Sequence, residues 1–233
     1  MSRGFVSIGH SHINALALAR DPALDAINLR EIEGPWLDGQ DGWRLRDDLA
    51  EQVFRGRGVF MLMGGGAPVM LSLLEYPRRF DFVLPSAPDL PLDETREIVP
   101  AEALRAVLTE ASASHIESIA GIVRAASAPI TQLHPPPPLA DEALIKPHLA
   151  WNGVAHVVAA KWLRYKFWRL HCEVMDAACE SHGIRSRLPP RSVLDDQGFL
   201  RPGLHADAVH GNAAYGRLVL DDLRAAGLMT PAP

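Results

Sequence analysis

The stretch that most limits the fold is Gly58-Val59-Phe60-Met61-Leu62-Met63, which runs directly into Gly64-Gly65-Gly66. The six residues have no polar face, as expected of a strand that is covered on both sides of a parallel sheet. The three glycines that follow break such a strand sharply. We therefore predict a central buried strand at 58–63, with a turn directly after it.

The same pattern extends outward from this stretch in both directions. Short apolar runs alternate with longer segments of helical periodicity, which is typical of a doubly wound parallel sheet with helices on both faces. The predicted strands are 4–9, 26–32, 58–63, 80–84 and 128–133, and the predicted helices are 43–54, 101–126, about 150–182 and 211–226. The sequence thus predicts one α/β domain over residues 1–233, with a sheet of five strands.

Two segments interrupt this alternation. After His134 come Pro135-Pro136-Pro137-Pro138, and because four prolines cannot continue a hydrogen-bonded strand, the chain is expected to leave the sheet there as an extended loop. The segment 85–99 is predicted to be an irregular insertion, with a lid over the site as one role for it.

The long predicted helix at about 150–182 is rich in aromatic residues. Trp162, Tyr165, Phe167 and Trp168 cover more than one of its faces. The favoured interpretation is a helix that packs on the sheet and makes one further contact, such as the interface of a homodimer. An aromatic rim around a substrate is the less favoured alternative.

Composition restricts the class of protein. The 233 residues are 48% hydrophobic, enough for one substantial core, and the formal charge of −5 comes without a basic block, which argues against a nucleic-acid surface. No apolar run approaches the length of a membrane helix, and the first strand begins too near Met1 for a signal peptide. Cys172 and Cys179 lie two helical turns apart, too far for a disulfide, and are predicted to be buried thiols. We therefore expect a cytoplasmic protein.

Two segments far apart in the sequence carry the chemistry. An apolar run ends in Gly9-His10-Ser11-His12, and Asp207-Ala208-Val209-His210 precedes the last predicted helix. A serine at a strand end offers a rigidly held hydroxyl, and an Asp three residues before a His offers a base with an orienting carboxylate. Ligands gather at the carboxyl ends of parallel strands, so Ser11, the glycine turn and His134 are expected to converge at one edge.

These two segments resemble the SGNH, or GDSL-type, hydrolases. Gly9-His10-Ser11 stands where that family has Gly-Asp-Ser, and Asp207-x-x-His210, followed by Gly211-Asn212 and a helix, matches its final block. The resemblance implies a flavodoxin-like, three-layer α/β/α fold and a serine esterase or acyl-transfer activity, with no cofactor or metal. It assigns Ser11 as nucleophile, His210 as general base and Asp207 as the group that orients the imidazole.

The sequence departs from the family around the nucleophile. His10 replaces the family's Asp, and Gly64-Gly65-Gly66-Ala67 stands in place of a Gly-x-Asn-Asp block, with Gly66 where the oxyanion-binding Asn would be. Loss of one side-chain donor costs roughly 10²–10³ in rate. The donors that remain are backbone amides, and the candidates are those of Ser11, of Gly39 (or alternatively Gly42) and of Gly65 or Gly66.

The remaining histidines are candidates for contact with a substrate. His12 adjoins the nucleophile, although it could equally cap a helix or lie exposed, and His134 follows a strand. A metal site from His10, His12 and His134 is disfavoured, because no carboxylate or cysteine lies at a supporting spacing.

The favoured function is hydrolysis of a small O-acyl ester, such as an O-acetyl group on a carbohydrate, through a covalent acyl-enzyme. An acyltransferase acting on a sugar hydroxyl is one alternative. A non-catalytic relative that binds a carbohydrate or a protein partner is another, motivated by the missing Asn. A phosphate-binding loop at the glycine turn is disfavoured because Gly-x-x-x-x-Gly-Lys-Ser/Thr is absent, and Ser11 does not lie in Gly-x-Ser-x-Gly.

Overall fold

A computed structural model describes residues 4–39, 44–55, 58–149 and 156–229. Its strands are β1 (Phe5–Gly9), β2 (Leu24–Asn28), β3 (Leu37–Asp38), β4 (Arg44–Leu45), β5 (Val59–Leu62), β6 (Phe80–Asp81), β7 (Glu97–Ile98), β8 (Ile130–Leu133) and β9 (Arg185–Arg187). Its α-helices are α1 (Asn14–Leu18), α2 (Asp47–Val53), α3 (Gly66–Ser72), α4 (Ala101–Ala111), α5 (Ala113–Arg124), α6 (Lys161–Glu180) and α7 (Ala213–Ala225).

Five of these strands form one parallel sheet in the order β2-β1-β5-β8-β9. Ser7 at the middle of β1 lies opposite Ala26 on one side and Phe60 on the other. The connections leave β1 and β5 toward opposite edges of the sheet, and such a switch point opens a crevice at the carboxyl ends of the two strands. The predicted doubly wound parallel sheet is confirmed.

The sheet has a hydrophobic core on each face. On β5, Phe60 and Leu62 pack with Tyr215 of α7 in one cluster, whereas Val59 and Met61 belong to the other cluster. That second cluster also contains residues of α2 and α5, such as Leu49 and Ile119. Alternate residues of a strand point to opposite faces, so the unbroken apolar run is explained by helices on both sides. The three-layer α/β/α arrangement is therefore confirmed.

The predicted strands at 26–32 and 80–84 need correction. The first is β2, which is shifted to Leu24–Asn28 and followed by a 3₁₀ turn at Leu29–Glu31. In the second, only Phe80–Asp81 is a strand, and it pairs with Glu97–Ile98 outside the main sheet. The apolar residues that follow, Phe82 and Leu84, are buried in a cluster around α6 instead.

The predicted helices also differ from the observed ones. The segment 101–126 is two helices, which meet at the buried Ser112. The helix predicted at about 150–182 begins at Lys161, and residues 150–155 lie outside the described residues. Two further helices, α1 and α3, have only 5 and 7 residues and were not predicted, because so short a segment shows little periodicity.

The segment 85–99 packs against helices. Ala87 and Leu90 contact the cluster around α6, and the Ser86 hydroxyl donates to the carboxylate of Glu173. Just before the segment, the Asp81 carboxylate forms a buried ion pair with Lys166 of α6. These contacts attach the segment to the helical layer, and its action as a lid stays a prediction.

The expectations about the two cysteines and about membrane-spanning helices can be compared with the structure. Cys172 and Cys179 are free and buried within α6, as predicted. Burial raises the pKa of Cys179 to about 12, so this thiol is unreactive at neutral pH. In the described part of the chain, no helix is both long and apolar enough to cross a membrane.

Candidate active site

Ser11 lies at the carboxyl edge of the sheet, directly at the switch point. Strand β1 ends at Gly9, where an added Cβ would lie only 2.9 Å from the carbonyl carbon of Leu62 on β5. The two strands therefore approach closely at this edge. After an extended His10, Ser11 opens a single 3₁₀ turn that leads into α1. This local structure holds the serine at the start of a rigid turn.

The segment 205–211 is a tight loop that carries the Asp and His. A backbone bridge between His205 and Gly211 closes it, and the amide of Ala206 donates to the carbonyl of His210 at 2.8 Å. Inside the loop, Oδ1 of Asp207 accepts hydrogen bonds from the amides of Val209 and His210, both at 2.8 Å. One carboxylate oxygen thus fixes the loop, which leaves the other free for the imidazole.

Asn212 joins this loop to α7. As the N-cap residue, its Oδ1 accepts from the amides of Ala214 and Tyr215, while its Nδ2 donates to the carbonyls of Gly203 and His205. An N-cap satisfies amides that a helix leaves unpaired. The position of the loop is therefore coupled to the position of α7.

The structure brings Ser11, His210 and Asp207 together. Nε2 of His210 lies 2.8 Å from Oγ of Ser11, and Nδ1 of His210 lies 2.7 Å from Oδ2 of Asp207. With the proton on Nδ1, the imidazole donates to the carboxylate and accepts from the serine hydroxyl. This arrangement can remove the proton from Ser11 as its oxygen attacks a carbonyl carbon.

The electrostatics of Asp207 suit an orienting carboxylate. Partial burial acts to raise its pKa, but hydrogen bonds from the His210 ring and from the amides of Val209 and His210 outweigh that effect. The net result is a pKa well below the usual range, so Asp207 is ionised at neutral pH. An ionised Asp207 would stabilise a protonated imidazole at His210.

The contact between α1 and α7 brings the two halves of the site together. At Gly216 of α7, an added Cβ would lie 2.6 Å from the carbonyl carbon of Ala15 and nearer still to its oxygen. Only glycine allows the two helices to approach this closely. Since α1 follows Ser11 and α7 follows His210, the contact sets the distance between Ser11 and His210.

His12 is buried beside the triad. Its ring centroid lies 4.7 Å from that of His210, and an added Cβ at Gly65 would lie 2.7 Å from its Cδ2. Burial, together with repulsion from His210, lowers the pKa of His12 to about 3, so the ring is neutral. Its Nδ1 has no partner among the described residues. His12 is therefore a neutral residue that packs against the ring of His210, and its contact with substrate stays a prediction.

His10 belongs to an aromatic group on another side of Ser11. Its ring lies 5.0 Å from that of His115 and 5.9 Å from that of Trp36. Burial, repulsion from His115 and repulsion from Arg30 lower the pKa of His10 to about 4. His115 and Trp36 lie in unrelated parts of the sequence without a motif, so the sequence carried no signal for them.

The predicted oxyanion donors are in different situations. The amide of Gly65, at a φ of +98°, donates to Nε2 of the buried His171 at 3.1 Å and is therefore not free for a substrate. Gly66 opens α3 and is exposed. Gly39 is exposed after β3, and Gly42 lies outside the described residues. The amides of Ser11, Gly66 and Gly39 stay predictions as oxyanion donors.

His134 does not join the triad. Its buried Nε2 lies 2.7 Å from Oδ1 of Asp176 on α6, and the Ser186 hydroxyl donates to the same carboxylate oxygen. His134 thus connects β8 to α6, and its contact with a substrate stays a prediction. Within the described ranges, no three His, Cys, Asp or Glu side chains are grouped so as to hold a metal ion.

An apolar cavity adjoins the triad, with an empty volume of about 470 Å³ that includes space open to solvent. Its lining includes the neighbours of the triad residues, His12 next to Ser11 and Val209 next to His210. The proline run 135–138 forms another part of the lining, and its carbonyl at Pro135 accepts from Nε1 of Trp168 at 3.1 Å. The sequence predicted an extended loop at these prolines but not that they would line a cavity.

No protein-family model and no curated protein matches the chain. Among solved structures, it is similar to a GDSL-like lipase from Bacteroides thetaiotaomicron, with 12% identity, a TM-score of 0.47, and 97% of this chain and 88% of that chain covered. It is also similar to a phospholipase A1 from Streptomyces albidoflavus, with 13% identity, a TM-score of 0.46, and 97% of this chain and 99% of that chain covered. A third similar structure is a catalytic mutant of an acetylxylan esterase from Geobacillus stearothermophilus, with 11% identity, a TM-score of 0.42, and 100% of both chains covered. Similarity at this level identifies no activity.

Proposed function

We propose that this protein is a serine esterase of the SGNH type, with Ser11 as nucleophile, His210 as general base and Asp207 as the orienting carboxylate. The observation that carries the proposal is the continuous chain of hydrogen bonds from Ser11 Oγ through His210 to Asp207, at 2.8 and 2.7 Å. These side chains come from segments about two hundred residues apart, so local chain geometry does not account for their meeting.

The reaction follows from the protonation states. Oγ of Ser11 attacks the acyl carbonyl carbon while Nε2 of His210 takes the hydroxyl proton, and Asp207 stabilises the resulting imidazolium. The imidazolium gives that proton to the leaving alcohol as the ester bond breaks, which leaves an acyl group on Ser11. A water molecule, activated by the same imidazole, then attacks the acyl-enzyme and releases the acid.

The oxyanion is expected to be held by backbone amides, those of Ser11 and Gly66 being the leading candidates. Because position 66 is glycine rather than Asn, one side-chain donor fewer is available than in the family pattern. The amide of Gly65 does not replace that donor, because it is bonded to His171. We therefore expect turnover about 10²–10³-fold below that of an otherwise equal enzyme with a side-chain donor.

The proposed substrate is an ester of a small acyl group with an alcohol such as a carbohydrate hydroxyl. The apolar cavity next to the triad, with an empty volume of about 470 Å³ that includes space open to solvent, supports a small acyl group. Transfer of the acyl group to a sugar hydroxyl instead of water is the second candidate, and adding acceptor sugars to the assay separates the two by their products.

Mass-spectrometric mapping of a fluorophosphonate adduct tests the proposal. We expect the wild-type protein to be labelled on Ser11, and His210→Ala to be labelled at least about 10²-fold more slowly, because the serine loses its base. His182→Ala is the matched control, since His182 is exposed in the turn after α6. A folded wild-type protein without label, or equal labelling of His210→Ala, would favour the non-catalytic alternative.

A further inference from the structure

Arg164 is a buried cation held by carbonyl groups. It lies in the first turn of α6, and its residue is 2% exposed. Its guanidinium donates to the carbonyls of Ala159, Leu139 (2.8 Å) and Ala140 (3.1 Å). An arginine has five N–H donors, and the buried Nε of Arg164 has no partner among the described residues. The carbonyl groups therefore do not use all the donors of this cation.

The charge of Arg164 is not balanced by a contacting carboxylate. None of the ion pairs between described residues includes Arg164. Glu142 acts on the guanidinium electrostatically, but it is itself paired with Lys146 at 3.2 Å. Burial lowers the pKa of Arg164 to about 10, which still leaves the guanidinium charged at neutral pH. A buried charge without a counter-ion is unfavourable, and an anion placed beside it would relieve this.

Arg164 lines the same cavity as the neighbours of the triad. His12 and Val209 form part of that lining, and the proline run 135–138 and Val69 supply apolar walls. Of the other polar side chains there, Ser72 donates to the carbonyl of Pro68 at 2.6 Å and Trp168 donates to the carbonyl of Pro135. The ring of His12 is neutral. An acyl chain that fills the cavity would thus meet apolar surface, the neutral ring of His12 and one cationic group, that of Arg164.

We propose that the cavity binds a short acyl chain that ends in a carboxylate, so that the substrate is a hemiester of a small dicarboxylic acid. In this complex the guanidinium of Arg164 donates to the terminal carboxylate of the acyl chain, as a charge-assisted hydrogen bond in a largely apolar site. The inference rests on the proposed function, since it names the acyl group that Ser11 would attack. A purely structural Arg164, which only holds the carbonyls after the proline run, would give no preference for an anionic acyl group.

A pair of chromogenic esters of equal chain length tests this preference. We expect the wild-type protein to cleave p-nitrophenyl hemiglutarate with a kcat/KM about thirtyfold or more above that for p-nitrophenyl pentanoate, after subtraction of the uncatalysed rates. Arg164→Gln should lower this ratio by a similar factor, and Arg164→Lys should keep part of it, because the charge remains. Arg217→Gln on the exposed side of α7 is the control and should leave the ratio unaltered. A wild-type ratio near one, or an Arg164→Gln variant that loses both activities equally, would overturn the inference.

A binding experiment separates failure of this inference from failure of the proposed function. Ser11→Ala cannot turn over an ester, and by calorimetry it should bind glutarate but not the neutral pentanamide, with an affinity that falls as salt is added. Binding of glutarate by a protein whose wild type cleaves no ester would refute the esterase and leave the anion site standing. Ester cleavage by the wild type, combined with equal or absent binding of the two ligands to Ser11→Ala, would refute the anion site alone.

Discussion

Replacing Gly216 by alanine tests whether the α1–α7 contact holds the candidate site together. The added Cβ would lie 2.6 Å from the carbonyl carbon of Ala15, whereas carbon atoms pack at about 3.5–4.0 Å. The obstacle is backbone, so no side-chain rotation can relieve the clash. The two helices must therefore separate by about 1 Å.

The size of the effect follows from this displacement. Forcing an extra methyl group into a packed contact costs about 1–3 kcal/mol, and the better helix propensity of alanine returns about 1 kcal/mol. We expect a net loss of at most about 2 kcal/mol in the free energy of unfolding, so Gly216→Ala should stay folded. Activity should fall more, because a misplacement of about 1 Å between Ser11 and His210 costs roughly 10²-fold.

The assay is kcat/KM for p-nitrophenyl acetate together with the urea midpoint of unfolding. The control is Arg217→Ala, which changes the exposed neighbour in the same helix and should alter neither quantity appreciably. If Gly216→Ala kept full activity and stability, the close approach of α1 and α7 would not be what positions the serine and its base. A loss of stability without a loss of activity would mean that the packing of α1 on α7 does not determine the positions of Ser11 and His210.

Three further predictions follow from individual contacts. Asp207→Asn should lower kcat by about 10⁴-fold, because an amide that donates to the imidazole favours the wrong tautomer. Asp81→Ala should lower the free energy of unfolding by about 3–5 kcal/mol, because it leaves the buried Lys166 without its counter-ion. Burial lowers the pKa of both His12 and His171 from 6.5 to about 3 in the folded protein. The unfolded chain therefore binds protons first, and stability should be full above pH 6.5 and fall as the pH drops from 6.5 toward 3.

Each of these has a measurement and a contrary outcome. For Asp207→Asn, single-turnover acylation at wild-type rate would remove the carboxylate from the mechanism. For Asp81→Ala, an unchanged urea midpoint would mean that carbonyl groups alone satisfy Lys166. For the buried histidines, urea midpoints are compared at pH 7.5 and 5.0, with His171→Gln as a variant expected to show a flatter profile. Equal midpoints at the two pH values would contradict the assignment of neutral rings.

The features that sequence reasoning predicted are those that depend on neighbouring residues. An apolar run with no polar face marks β5 wherever it lies in the fold, and a serine directly after β1 must lie at the carboxyl edge of the sheet. Asp207 and His210 share one loop, so their spacing alone indicates that they can meet. For these elements, local sequence and position in the fold carry the same information.

The features that were missed depend on packing between distant segments. Strand β9, Arg185–Arg187, is an edge strand paired only with β8, so it needs no apolar run to mark it. The hydrogen bond from the Gly65 amide to His171 joins residues 106 apart in the sequence. It occupies an amide that the sequence had indicated as a candidate oxyanion donor. Likewise, nothing in the sequence marks Arg164 as the one residue of α6 that brings a charge to the cavity beside the triad.

The proposed nucleophile Ser11 and its proposed base His210 are separated by 199 residues of chain. A ribosome adds about 5–20 residues per second, so roughly 10–40 s pass between synthesis of the serine and synthesis of the histidine. Throughout that time Ser11 lacks the imidazole of His210, which the proposed mechanism gives it as its base. In the proposed mechanism, reactivity begins only when the last helix docks on the first. A chain still being translated, or one whose last helix has failed to dock, would then attack no ester. The order of synthesis thus delays the appearance of a reactive group until the fold around it is complete.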